Sequence, residues 1–326
     1  MIRRPKEPGP RAAFERLCSS AERSDADALV FADWLTEQGS SMGEFITLTR
    51  SGQTKAAHKL CERDRLKWLG RIGPFLEPHR EEFVGGLPDF AVLPFGVKPE
   101  LVLPHARATE WLMFRALRID TRTTAPDAWL PLVTSPALRK LRRIDGLTHS
   151  LLAALIGKKS RVRSLEVTTD AIKAKEIEAL TELKELRLRG ARGAGASFDE
   201  LLGMKRLTKL ELANSINQVD WSFLEREHAI DDLTLYEWIS SADWERDQRR
   251  EKGLKLRFRG APRFKTLEIT LGGKFVRALP QQLLSLGPVP MQALQVIVIP
   301  ARPFDEEERA LVRRSLGPRA ASLDLR

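Results

Sequence analysis

The sequence predicts an α/β solenoid. In it, strand-and-helix units stack in series, with a parallel sheet on the concave side and helices on the convex side, behind a small α-helical N-terminal domain. Two observations predict it. An L-x-x-L-x-L pattern returns through residues 83–326 at steps of about 24 residues. Residues 1–82 carry helix-cap and helix-stripe signals in its place.

At 326 residues with 42% apolar content, the chain can bury a sizeable core. No stretch approaches the ~20 uninterrupted apolar residues that a bilayer span requires. The opening MIRRPKEPGPRAAF has charge and proline but no apolar segment of signal-peptide type. These features predict a cytoplasmic protein. Cys18 and Cys61 fall in expected helices, outside any zinc or disulfide spacing, and read as reduced core residues.

In the N-terminal part, Ser24 is placed to cap a helix whose apolar stripe uses Leu29, Ala32 and Leu35 until Gly39 stops it. A second helix begins near Gly43. Asp33 beside Trp34 could suggest a site, but a helix-internal Asp capping a neighbouring turn, next to a Trp buried among three or four helices, is the simpler expectation. The run DADALVFADWLTEQGSSMGEFITLTR, with Leu66-KWLGRIGPFL and Phe83-VGGLP, resembles a short bacterial repeat-companion domain of signature ADWL…GEFI. That resemblance covers about residues 11–90 and carries over no biochemical activity; because the open end of a solenoid exposes apolar surface, the domain is expected to cap the first repeat.

The repeats follow. Their motifs read Leu87-PD-Phe90-A-Val92, Phe114-RA-Leu117-R-Ile119, Val162-RS-Leu165-E-Val167, Leu183-KE-Leu186-R-Leu188 and Leu207-TK-Leu210-E-Leu212. Further copies are Ile230-DD-Leu233-T-Leu235, Phe264-KT-Leu267-E-Ile269, Leu294-QV-Ile297-V-Ile299 and Ala320-AS-Leu323-D-Leu325. A degenerate copy, Leu138-RK-Leu141, places Arg143 where the third apolar residue belongs. Alternation makes each motif a strand with one buried face. Between motifs, Ser150 to Ile156, Lys173 to Leu180 and Phe198 to Met204 have helical spacing.

These motifs resemble the leucine-rich-repeat family over residues 83–326. Only Asn214 stands at the asparagine position of that family's consensus. Steps of 21–27 residues give way to one of 34, which is read as an insertion at 236–253 projecting from one edge. Asp305, Glu308 and Gly317 outline a capped helix near 305–316.

Chemistry of an enzymatic kind finds no support in the motifs. The histidines His58, His79, His105, His149 and His228 are scattered, and Gly190-ARGAGAS lacks the context of a nucleotide loop. No catalytic residue, cofactor or metal is expected. An enzyme with dispersed groups is the third and weakest of the functional readings.

The charge is more informative. Of the +10 total, residues 1–82 contribute little (14 Lys/Arg against 13 Asp/Glu), while residues 83–326 hold 40 against 31. Stacked repeats turn equivalent positions into columns. The second motif position gives a basic rim of Arg115, Arg139, Arg163 and Lys184. The position between the last two apolar residues gives Arg118, Arg142, Glu166, Arg187, Glu211, Thr234 and Glu268, a mixed column expected on the concave face. A solvated surface explains such charges as readily as a binding patch does. The functional expectation is a scaffold or adaptor that docks an acidic or mixed-charge protein through that column. The alternative is a basic nucleic-acid-binding solenoid, which the concave glutamates and the absence of aromatics in the basic rim disfavour.

Overall fold

The structure, a computed structural model, describes residues 10–19, 24–78, 82–120, 126–158, 160–168, 174–189, 200–213, 221–237, 254–271, 293–300, 303–316, 318 and 321–325. It is an α/β molecule with mostly parallel strands. The chain divides into two compact units, Met1–Val162 and Arg163–Arg326.

The first unit opens with helices α1 (Pro10–Ser19), α2 (Asp25–Glu37), α3 (Ser41–Arg50) and α4 (Thr54–Leu69). Ser24 caps α2 by accepting from the Asp27 N–H, and Ser40 caps α3 by accepting from that of Met42. Each cap satisfies a backbone donor that the first helical turn leaves open. Phe31, Phe45, Ile46, Leu60 and Trp68 from three helices form one buried cluster with Leu17 and Leu87. Trp34 departs from its expected burial: it is 37% exposed and stacks on Phe31 at 5.8 Å, beside an exposed Asp33. One helical turn separates Phe31 from Trp34, so Phe31 fills the core position and Trp34 is left to cover it.

Strands β1 (Glu82–Val84) and β2 (Leu87–Leu93) pair antiparallel, and β3 (Ala116–Ile119) and β4 (Arg143–Leu147) continue in parallel. The Gly85-Gly86 turn of the hairpin lies on α3. A Cβ on Gly86, whose φ is +80°, would stand 2.5 Å from Ile46 Cα, so glycine is required both by conformation and by space. Arg50 Nε holds the same turn by donating to Gly85 O at 3.2 Å.

The second unit carries β5 (Ser164–Thr168), β6 (Glu185–Arg189), β7 (Lys209–Ala213), β8 (Asp232–Glu237), β9 (Leu254–Arg259), β10 (Thr266–Leu271), β11 (Gln295–Pro300) and β12 (Ser322–Leu325), neighbours in chain order. All pair in parallel except β9, which is antiparallel to both β8 and β10. Alternation decides the two faces. Leu165, Leu186, Leu210, Leu233, Leu256 and Leu267 are wholly buried, each contributing on the order of 2 kcal/mol by leaving water. Their neighbours in the chain face the other way.

The helical elements described in the connecting segments are short. They include helices His149–Gly157 and Ala174–Glu178, but also 3-10 turns at Thr109–Met113, Pro136–Leu138 and Trp221–Glu225. Where a helix was expected at each connection, several carry a tighter 3-10 turn, and Pro136 starts one of them. The C-terminal helix, Glu306–Leu316, begins with a reciprocal box: the Glu308 N–H donates to Asp305 Oδ1 at 2.8 Å, and the Asp305 N–H to Glu308 Oε2 at 3.1 Å. Lys173, the loop 190–197, Phe198, Asn214, Gly317 and Ala320 lie outside the described residues, as does residue 238–253 of the expected insertion.

The observed register corrects the motif alignment at three places. Leu117 pairs with Ala91, not Phe90, and with Ile144, not Leu141. Leu267 pairs with Val296, not Ile297. Leu138 and Leu141 are buried in the turn that leads into β4 rather than in the strand, so their spacing imitates a motif one turn too early. The 34-residue step is corrected too. Tyr236 and Glu237 end β8, and Leu254–Arg259 adds a complete strand to the sheet.

Candidate functional site

Each unit presents its own polar strand face. In the first, the position between the buried residues reads Val92, Arg118 and Asp145. Arg142 does not belong to this row: its N–H donates to Arg115 O at 2.7 Å, which places it beside Arg115 before the strand begins. Asp145 takes the place expected for Arg142. It is 1% exposed, and Arg143 of the same strand holds it, with Nε 2.9 Å from Oδ2, while the guanidinium lies 5.4 Å from the Phe90 ring. After Asp145 the chain inserts Gly146 at φ +81°, where a Cβ would stand 2.0 Å from Ile119 O. The extra residue delays the last apolar position of the motif to Leu147, which is fully buried. Arg118 is half-buried.

The expected basic rim is likewise rearranged. Arg115 donates through Nη2 to Leu17 O at 3.2 Å and lies 3.9 Å from Asp89. It ties α1 to the sheet, and burial pushes its pKa down from the ordinary arginine value. Arg139 follows the Pro136–Leu138 turn, exposed and outside the ladder. In the second unit, Lys184 N–H donates to Arg163 O and Thr208 N–H to Lys184 O. Arg163 Nε approaches Glu182 at 3.4 Å, and Lys184 is exposed.

The second unit carries the longer row. Strand register aligns Glu166, Arg187, Glu211, Thr234, Arg257, Glu268, Ile297 and Asp324. Five of these are the residues expected from the motif. Arg257, Ile297 and Asp324 are added by the register. Acid and base alternate at its start, and the side chains use one another. Arg187 Nε lies 3.3 Å from Glu211 Oε2, and Arg189 Nε lies 2.9 Å from Glu166 Oε1, with its Nη2 3.8 Å from Glu211 Oε1. Glu166 is thereby covered to 3% exposure. Farther along, Arg257 grips Asp232 with two bonds, Nε to Oδ1 at 2.9 Å and Nη2 to Oδ2 at 2.5 Å. This contact holds the Asp232 carboxyl below the usual range against the opposing effect of burial, and raises that of Arg257. Arg259 Nη2 reaches Glu268 at 3.6 Å, and Lys255 Nζ lies 5.5 Å from the Tyr236 ring centre.

Sequence reasoning missed Arg189, Asp232 and Tyr236, and did not set Lys255, Arg257 and Arg259, part of the basic run 246–265, on a strand of this face. The signal for the last three was present: Leu254, Leu256 and Phe258 alternate with them as a strand requires. Among the described residues, the row and the positions flanking it on the same strands carry six cations (Arg187, Arg189, Lys209, Lys255, Arg257, Arg259) and six anions (Glu166, Glu185, Glu211, Asp232, Glu268, Asp324). The face is thus mixed, not basic.

Among the described residues no group of His, Cys, Asp and Glu is arranged to hold a metal ion, and no helix is long and apolar enough to cross a membrane. His228 is 8% exposed, with its ring 4.0 Å from that of Phe264. Compared with protein families, with characterised proteins and with solved structures, the chain matches none.

Proposed function

We propose that the chain is a leucine-rich-repeat-like solenoid whose strand face, in the second unit, docks another protein of mixed surface charge, and that it works as a non-catalytic scaffold or adaptor. The observation that carries this reading is the row Glu166, Arg187, Glu211, Thr234, Arg257, Glu268, set on adjacent strands with signs that alternate. A fixed pattern of both signs selects partners by complementarity and rejects those of the wrong pattern. A polyanion such as nucleic acid meets one repelling carboxylate for each attracting cation on this face, which disfavours that class of partner. The N-terminal helices fit the role of a cap that covers the end of the stack.

The test is affinity purification from the native cell, with mass spectrometry, of the wild type beside R187E/E211R. The double reversal keeps the ion pair and inverts the pattern offered to a partner. Loss of a specific co-purifying protein, with the native circular dichroism spectrum retained at the assay temperature, is the expected result; the melt itself should fall somewhat, because the reversal sets like charges beside Arg189 and Glu166. A protein set identical for both forms overturns this face as the docking surface. Salt-sensitive retention of DNA or RNA by the wild type would transfer the reading to nucleic acid.

A further inference from the structure

The N-terminal helices keep opposite charges apart. Residues 1–82 are nearly neutral in sum, with 14 Lys/Arg against 13 Asp/Glu. Within them α2 holds Asp25, Asp27, Asp33 and Glu37 with no Lys or Arg, while α4 holds Lys55, Lys59, Arg63, Arg65 and Lys67 against Glu62 and Asp64. Part of this charge is used inside the unit: Asp25 pairs with Arg50, Asp27 with Arg16, and Asp64 with both Arg63 and Lys67. The rest faces water. Asp33, Glu37 and Lys59 are exposed and have no ion pair among the described residues. Arg63, although it touches Asp64, keeps 66% of its side chain in water. Each charged face also carries an exposed apolar residue, Leu29 on α2 at 42% and Leu66 on α4 at 52%.

We propose that these faces are the two halves of one interface, the α2 face of one copy of the chain docking on the α4 face of a second copy. Leu29, Asp33 and Glu37 stand four residues apart, so they share one side of α2 at steps of about 6 Å. Lys59, Arg63 and Leu66 share one side of α4 at steps of about 6 and 4.5 Å. Set antiparallel, the two rows match in order: Leu66 opposite Leu29, Arg63 opposite Asp33, and Lys59 opposite Glu37. Trp34, partly exposed beside the acidic row, is of the residue type that anchors interfaces most often. A polyanion would answer the α4 row alone and leave the acidic, partly apolar α2 row uncovered, whereas a second copy answers both. This contact does not depend on the strand face of the second unit.

The experiment follows the molecular mass of the full chain over a concentration series by size-exclusion chromatography with light scattering. The wild type is expected to gain mass with concentration, less so as salt rises. D33K/E37K and K59E/R63E each set like charges face to face and should need about tenfold higher concentration for the same gain. Mixed in equal amounts, the two variants should associate again, because the reversed α2 of one meets the reversed α4 of the other and their unaltered faces still match. E37K mixed with K59E repeats the swap if R63E, which takes one of two cations from Asp64, fails to fold. A wild type of monomer mass throughout, association unaffected by either reversal, or a mixture no heavier than its components overturns the proposal. A monomeric wild type that retains a single-stranded DNA oligonucleotide, with retention lost in K59E/R63E, also overturns it and assigns the α4 row to polyanions.

Discussion

Arg189 and Glu166 meet diagonally across β5 and β6. Arg189 Nε lies 2.9 Å from Glu166 Oε1, although the register partner of Glu166 is Arg187 and that of Arg189 is Thr168. The diagonal frees Arg187 for Glu211 at 3.3 Å and links both carboxylates to Arg189. The Arg189 N–H at this contact points off the oxygen, so the contact is ionic more than hydrogen-bonded.

Removing Arg189 should therefore harm the fold through Glu166. The carboxylate is 4% exposed and would be left without its nearest cation. We expect R189A to cost about 2 kcal/mol, less than the full value for a deeply buried pair because Arg189 is itself partly in water. The double variant R189A/E166A should recover at least half of that loss, since no charge is then stranded. Urea unfolding of the three forms checks this. Equal stability of R189A and wild type would show that water already supports Glu166.

A second prediction concerns Gly146. Its φ of +81° disfavours any side chain, and a Cβ would stand 2.0 Å from the Ile119 carbonyl oxygen. Conformation and collision act together, so G146A should destabilise by about 2–4 kcal/mol. A thermal melt gives the measurement. A loss under 1 kcal/mol, the order of the conformational cost alone, would mean that β3 and β4 separate easily at this point.

Much of the architecture was legible because the repeating apolar residues have to be buried, and a period of about 24 residues leaves few ways to do it. Register was less legible. Leu138 and Leu141 show the same spacing as a motif while belonging to a turn, and the extra Gly146 breaks the alternation that would have exposed the slip. Of the candidate row, Glu166, Arg187, Glu211, Thr234 and Glu268 were readable from position alone; the first four lie side by side, while Arg257 stands between Thr234 and Glu268. Their pairing was not readable. Arg189 reaches Glu166 along a diagonal, and Arg257 comes from a strand that runs against the repeat and lies outside its ruler.

The C-terminal helix gives a third, local prediction. Asp305 and Glu308 satisfy each other's backbone N–H groups at its start. D305A removes one acceptor from an exposed helix end and should cost about 1 kcal/mol. The loss should appear first as faster amide exchange at Glu308 and in the helix that follows. Unchanged exchange there would mean that packing by Val312 and Leu316, both buried, holds the helix without its cap.

His228 supplies a pH dependence whose sign is fixed by its surroundings. Its ring is buried against Phe264, and burial pushes its pKa below the ordinary histidine value, with the backbone of Ile230 opposing in part. Between that lowered native pKa and an unfolded value of about 6.5, the unfolded chain binds the proton and the native one does not. Stability should therefore fall as pH drops below about 6.5, and level off once pH passes below the native pKa. The lowered carboxyls of Glu110 and Asp232 act in a separate, more acidic window, because their unfolded values lie near 4. H228F keeps an aromatic ring among Phe223, Phe258 and Phe264 and has no proton to bind. Urea unfolding at pH 7.5 and pH 5.5 should show a drop for the wild type and a smaller drop for H228F. Equal drops in both would assign the pH dependence to other groups and show that water reaches the imidazole in the folded state.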